Sequence, residues 1–431
     1  MKKYINTVSA FQFFQLVRYS TLILIGIVFT KTALTQAEIG EYETFVFLAG
    51  AVSFFWLNGL QKALLPLGGE SGKTNIFSAF LTIQILSLFA ATFLFVLQPF
   101  FSKYLLNGKL IPEIWLLLIF IVFSAPAGLV EYFYLIKKRN RAIIIYSLVS
   151  FAVQFALVVI PIIEEYPIQM ALKGLVLSSV FRYIWLWIML ISNHEIHFSI
   201  DVVKKLFKLG SPLIAATLLS GSAQFVDGFI VTSKFDENTF AIFRYGAREL
   251  PLAILLANAL SNAMLPEFSN RENLKLTLQK LKKSVIRLMH ILFPLTAVLL
   301  IISHPVFPVL FNPDFEESAT IFNIYLLLVI SRLLLPQTLL NGLQISKPIM
   351  NAAFFELIMN VSLSLVLVQF YGIAGIAFAT FIAYLFEKIY LVQVVKRKLQ
   401  IPLKEYLAVN NYLLYSSGIL IIFVLSEFFF R

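Results

Sequence analysis

Apolar runs of about 20 residues follow one another along this chain, separated by short segments that hold most of the charge. A helix of about 20 residues, rising ~1.5 Å per residue, crosses the ~30 Å hydrocarbon core of a bilayer. Lipid cannot satisfy open backbone groups, and the runs are too long for the strands of a membrane barrel. The expected fold class is therefore all-α integral membrane, a polytopic bundle of about 12–14 transmembrane helices. Composition agrees, with 59% hydrophobic and 13% charged residues in a 431-residue chain. A soluble chain of this length would divide into domains joined by polar linkers, and none is visible.

Thirteen spans are expected. The first six cover 9–30, 41–66, 76–98, 113–136, 142–163 and 168–192. The next six cover 211–233, 238–262, 284–303, 319–345, 349–370 and 373–394, and a last run covers 408–429. The start, MKKY before an apolar run, lacks a small-residue cleavage site and reads as a retained first span. With the N-terminus placed in the cytoplasm, inner segments carry 21 of the 34 Lys and Arg. Outer segments carry 5, namely Lys31, Lys103, Lys109, Lys234 and Arg431. That bias sets the orientation. The net charge of +11 could point to nucleic acid, but charges confined to short loops exclude that partner. The chain has no cysteine, so disulfides and thiolate metal sites are excluded.

The stretch 193–210 places Ile200, Val203, Leu206 and Phe207 at helical spacing, with Lys204, Lys205 and Lys208 opposite. It reads as an amphipathic connector on the inner membrane surface. The organisation is then a six-helix lobe at 1–192, this connector, a second six-helix lobe at 211–395, and a basic loop with an extra helix at 396–431. The lobes share a weak internal similarity. KGLVLSSVFRYIW aligns with AGIAFATFIAYLF, pairing Gly174 with Gly375, Ser179 with Thr380 and Tyr183 with Tyr384. Two pseudo-symmetric lobes around a central cavity are a common transporter plan.

The second half carries a recognisable pattern. LFNPDFEESATIFNIYLLLVISRLL is followed by a segment with the core YG-x-x-G-x-A-x-A-T, formed by Tyr371, Gly372, Gly375, Ala377, Ala379 and Thr380. This resembles the late spans of polysaccharide and O-antigen flippases in the multidrug/oligosaccharidyl-lipid/polysaccharide exporter superfamily. FVDGFIVTSKFDENTFAIFRYGARELP is similar to that family's seventh and eighth spans. Two places depart from the family pattern: Gly228 stands where many relatives carry Arg, and the turn before span six reads EEYP rather than YG. The resemblance implies a non-enzymatic transporter of the bacterial inner membrane. Its substrate would be an undecaprenyl-pyrophosphate-linked oligosaccharide, moved for surface polysaccharide such as O-antigen or capsule. Membrane lipids and other polysaccharide-assembly membrane proteins are the implied partners.

Charges at membrane depth are the informative residues. Each costs roughly 2.5–3.5 kcal/mol at the bilayer centre on insertion scales, so it needs a partner or a wet cavity. Arg18, Arg182, Arg244, Arg248 and Arg332 are the expected substrate-binding residues, because guanidinium forks match phosphate oxygens and stay charged. Arg244 and Arg248 are expected one turn apart on one helix face, with Asp227 level with Arg244. Tyr19 and Tyr245 are candidate substrate-binding residues that could stack on sugar rings, as could Trp56, Tyr183 and Trp185; packing against lipid or neighbouring helices is the favoured reading for each of these aromatics. Asp227, Glu249 and Glu356 are candidates to bind a coupling proton or sodium ion. Glu131, Lys173, Glu356, Glu387 and Lys388, nearer span ends, are expected to snorkel. Pro66, Pro126, Pro251 and Pro336 are expected kinks. No metal, cofactor or catalytic residue is expected: His194, His197, His290 and His304 fall at or outside span ends without metal spacing, and no nucleotide-binding glycine loop is present. A multidrug or small-cation antiporter of the same superfamily is the alternative, although the arginine excess disfavours a cation. A membrane glycosyltransferase or polymerase is the second alternative, without the large polar outer loop it would need.

Overall fold

The computed structural model describes residues 7–70, 76–193, 196–248, 251–269, 274–343, 345 and 347–429. Helices account for nearly all of them. By chain contacts they form two compact units, Met1–Ala241 and Ile242–Arg431. Among the described residues, nine helices are long and apolar enough to cross a bilayer, or ten if one bent pair counts as a span.

The first unit opens with α1 (Thr7–Phe29), α2 (Gln36–Glu70) and α3 (Ile76–Val96). Thr35 and Glu38 form the capping box that starts α2: the Glu38 amide donates to Thr35 Oγ1 at 3.3 Å, and the Thr35 amide to Glu38 Oε2 at 2.9 Å. The fourth span is interrupted into α4 (Ile114–Ala127) and α5 (Leu129–Ile136), with Pro126 inside the last turn before the break at Gly128. α6 (Asn140–Ile163) and α7 (Ile168–Ser192) complete the six expected spans. α7 crosses α6 so closely at Gly174 that a Cβ there would overlap the Leu157 carbonyl.

The stretch 193–210 is not a separate surface helix. From Ile200 it runs straight into the seventh span as α8 (Ile200–Gly221), which then breaks at Ser222 and continues as α9 (Ala223–Lys234). Leu206 is fully buried, while Ile200 and Phe207 are exposed. α8 and α9 lie antiparallel along the middle of α2, and glycines on both sides permit it. Gly59 meets the Ile214 backbone, Gly210 meets Leu60, Gly221 meets Phe54 and Gly228 meets Phe47. This packing puts the seventh span in the first compact unit, so the unit boundary falls after Ala241 rather than in 193–210.

The second unit holds the second half of α10 (Glu237–Gly246), then α11 (Pro251–Ser269), α12 (Leu274–Leu310), α13 (Glu316–Leu326), α14 (Leu328–Arg332) and α15 (Pro336–Gly342). Asp236 caps α10, accepting from the Thr239 hydroxyl and amide at 2.6 and 2.9 Å, which holds its carboxyl below its usual range. The tenth span bends by 47° between Arg332 and Pro336, the kink expected at Pro336. α12 extends beyond the expected end at 303 and carries Pro305 and Pro308, so His304 lies within a helix and is buried.

α16 (Lys347–Leu399) joins the eleventh and twelfth spans, 347–371 and 373–399, across Gly372. Gly372 has φ +55°, a conformation that strains any residue with a Cβ. At Gly375 a Cβ would overlap the Leu367 carbonyl. The YG-x-x-G motif thus has two physical jobs: the first glycine turns the chain, and the second lets the returning helix close on the outgoing one. The internally similar Gly174 does the second job in the first unit. α17 (Val409–Phe429) closes the chain. Glu427 ties it to the unit by accepting from Thr320 Oγ1 at 2.9 Å and Asn323 Nδ2 at 2.8 Å, and it lies 3.0 Å from His304 Nε2.

Candidate functional site

The first unit encloses a cavity of about 380 Å³ among α1, α2, α4 to α7 and α9. Two of the expected arginines line it. Arg18, on α1, is exposed to the cavity, and no described residue hydrogen-bonds its guanidinium. Arg182 projects from α7 and is half-buried, its guanidinium carbon 4.5 Å from the Phe151 ring centroid. Its Nη2 donates to Gln154 Oε1 at 2.6 Å and weakly to the Ser150 carbonyl at 3.5 Å. Its buried Nε has no hydrogen-bond partner. Arg182 is therefore aimed by α6 but retains donor capacity.

Glu131 lines the same cavity and is only 8% exposed. The expectation that it snorkels from a span end is corrected here. The break at Gly128 restarts the helix, and α5 then carries the span on to Ile136 with Glu131 facing inward. Both Arg18 and Arg182 lie within Coulombic reach of its carboxylate. Gln154, Gln61 and Asn58 supply amide groups to the wall. Sequence reading passed over Glu131 and Gln154 as site residues. Gln154 left a usable signal, an amide isolated within an apolar run, whereas Glu131 sits among residues typical of an interface.

Apart from Tyr19, the aromatics considered for sugar stacking are occupied by packing. Trp56 is buried and donates to the Val52 carbonyl at 2.9 Å. Tyr183 donates to Gln84 Oε1 and Trp185 to the Tyr134 hydroxyl, both at 3.0 Å. Tyr19 is 44% exposed and does not line the cavity. Tyr245, in the second unit, is 1% exposed, packed against Phe311 and Phe315.

Arg244 and Arg248 do not share a helix face, because α10 stops at Gly246 and Arg248 lies past its end. Pro251, which starts the next helix, cannot donate to a continuing one and disfavours α conformation before it. The Arg248 guanidinium instead sits 4.8 Å from the Tyr245 ring centroid. Glu249 lies outside the described residues. Asp227 is fully buried in the first unit.

A second polar cluster lies inside the second unit. Lys388 donates to Glu387 Oε2 at 2.7 Å and to Gln337 Oε1 at 2.9 Å, and Gln337 donates back to Glu387. Glu356, Glu387 and Lys388 are buried at 3%, 5% and 6% exposure. They do not snorkel, because the three donors and acceptors close a ring that holds the ion pair inside. Arg332 lies within Coulombic reach of Lys388, its guanidinium carbon 5.1 Å from the Tyr384 ring centroid. Arg332 and Lys388 are matched by Glu356 and Glu387, so this cluster is balanced in formal charge. The cavity of the first unit, with two arginines and one glutamate, is not.

These features define a multi-pass helical membrane protein with a transporter fold. The sequence model of a family described as polysaccharide biosynthesis proteins matches residues 33–320, and the chain belongs to that family. The fold is similar to that of the lipid II flippase MurJ in an inward closed conformation, with TM-score 0.69, 18% identity and 97% of each chain covered. It is also similar to an inward-facing multidrug resistance MATE transporter of the MOP superfamily, with TM-score 0.63, 14% identity, and 89% and 95% of the two chains covered. A MOP superfamily transporter from Pyrococcus furiosus, whose binding pocket is described as of reverse polarity, matches with TM-score 0.55, 14% identity, and 93% and 97% covered. No curated protein matches the sequence.

Proposed function

We propose that this protein carries a lipid-linked oligosaccharide, joined to its polyprenyl carrier through pyrophosphate, across the bacterial inner membrane for surface polysaccharide assembly. The observation that carries this reading is the pair Arg18 and Arg182, which line one cavity with guanidinium donors left over. Such donors suit phosphate oxygens, and the surplus of positive charge repels an organic cation. The polysaccharide family supports the same class of substrate, as does the similarity to a flippase. Transport draws on a proton or sodium gradient, with Asp227, Glu249 and Glu356 the carboxylates to test. Other polysaccharide-assembly membrane proteins are the expected partners.

Purified protein melted with geranylgeranyl diphosphate or with tetraphenylphosphonium tests the substrate class. The diphosphate is expected to raise the melting temperature and the cation to leave it unchanged. A strain lacking the gene should lose surface polysaccharide and recover it with the gene restored. Stabilisation by the cation alone, together with drug sensitivity and intact polysaccharide in that strain, would make the protein a drug exporter.

The proposed orientation has the N-terminus in the cytoplasm. Because the chain has no cysteine, single cysteines report topology directly. In intact cells an impermeant thiol reagent should miss a cysteine at position 139 or 205 and label one at 236. The opposite labelling pattern would invert the orientation.

A further inference from the structure

Among the described residues lining the cavity, Glu131 is the only acid and Arg18 and Arg182 are the only bases. No described side chain hydrogen-bonds the Glu131 carboxylate, although both guanidiniums act on it electrostatically. Its local support comes from its own helix. Glu131 lies in the first turn of α5, where the helix dipole favours an anion. At the break before this turn, Gln61 Nε2 donates weakly to the Gly128 carbonyl at 3.5 Å. A carboxylate held this way attracts both guanidiniums without occupying their donors.

We propose that Glu131 is the resident counter-ion of the cavity, matching Arg18 and Arg182 while the site is open and weakening their grip on an arriving phosphate so that it can leave again. This rests on the flippase reading above and adds a release device to it. Two guanidiniums in a partly desolvated pocket would hold a diphosphate tightly, and a transporter that holds its substrate tightly turns over slowly. A fixed negative charge beside them repels the bound diphosphate and lowers the cost of parting. The ligand class is a phosphate ester on a lipid chain. The transported lipid and an ordinary anionic phospholipid share that chemistry, so both enter the test.

Binding of geranylgeranyl diphosphate to purified protein is compared with binding of phosphatidylglycerol in mixed micelles, alongside surface polysaccharide in cells. Glu131→Gln preserves shape and removes the charge. It is expected to tighten diphosphate binding about tenfold, equal to ~1.4 kcal/mol, while polysaccharide export falls severalfold at unchanged membrane abundance. Glu131→Asp keeps the charge and should stay near wild type in both assays. Asn58→Asp adds a second carboxylate to the wall with little change of shape, and it should weaken diphosphate binding about tenfold. It tests the same electrostatics if Glu131→Gln fails to fold. Diphosphate affinity that neither variant moves would overturn the counter-ion role while leaving the flippase reading intact. Equal tightening towards phosphatidylglycerol would overturn the assignment to a transported lipid. Wild-type protein that binds no diphosphate would sink the flippase reading itself, and this inference with it.

Discussion

Arg182→Ala is expected to abolish surface polysaccharide export while the protein remains at near-normal levels in the membrane. The guanidinium is held by Gln154 and by the Phe151 face, not by a carboxylate hydrogen bond. Its removal breaks no carboxylate hydrogen bond, and Glu131 keeps Arg18 within Coulombic reach. Gln154, which lines the cavity, loses a partner that water can replace. What disappears is a charged donor fork facing the cavity, and hydrogen bonds to charged groups contribute about 1.5–3 kcal/mol each. Loss of two of them corresponds to roughly a hundredfold or more in affinity. Arg18→Ala should act similarly with still less structural consequence, since Arg18 bonds no described residue. Lysine at either position keeps the charge and loses the fork, so partial export is expected. Surface polysaccharide in a strain lacking the gene, read beside membrane abundance, separates these outcomes. Alanine variants that are abundant and fully competent would remove the cationic cavity from the mechanism.

Lys388→Met is expected to remove the protein from the membrane rather than to impair transport alone. Lys388 and Glu387 are both buried, and Gln337 bonds each of them. Methionine fills similar volume but leaves the Glu387 carboxylate without its cation. Breaking a buried pair in this way costs about 3–5 kcal/mol, a large part of a typical unfolding free energy. The double change Glu387→Gln with Lys388→Met removes both charges and should recover most of the loss. Thermal melting in detergent and membrane abundance measure both variants. A single variant as stable as wild type would show that Glu387 does not depend on Lys388.

The helical membrane fold was legible because the hydrophobic pattern and the bilayer thickness leave few alternatives. The span order was legible too, as was the kink at Pro336. The breaks at Gly128 and Gly246 fall beside Pro126 and Pro251, where kinks were expected, whereas the break at Ser222 was not legible, since it sits in an apolar run without a proline beside it. Arg18 and Arg182 could be singled out by their cost at membrane depth. That they share a cavity could not be read, because it depends on α1 and α7 meeting around α6. Tyr245 and Trp56 fill helix interfaces, the reading favoured for such aromatics, because one that stacks on a sugar and one that packs between helices have the same composition. Glu131, Glu387 and Lys388 misled for a related reason. Sequence position gave their depth, but only packing shows whether a charge near a span end turns to the interface or inward.

Glu427 bears on how the protein is made. A lone helix carrying a carboxylate enters a bilayer poorly, at a cost of up to roughly 2.5–3.5 kcal/mol for that residue. The groups that receive Glu427, namely His304, Thr320 and Asn323, lie on α12 and α13, more than 100 residues earlier in synthesis. By the time α17 reaches the translocon, its docking site already exists. The closing helix then integrates by binding to the protein that precedes it, and its own hydrophobicity need not suffice. Biogenesis of the second unit is in this sense templated from within, with the last segment recognised by its polar face.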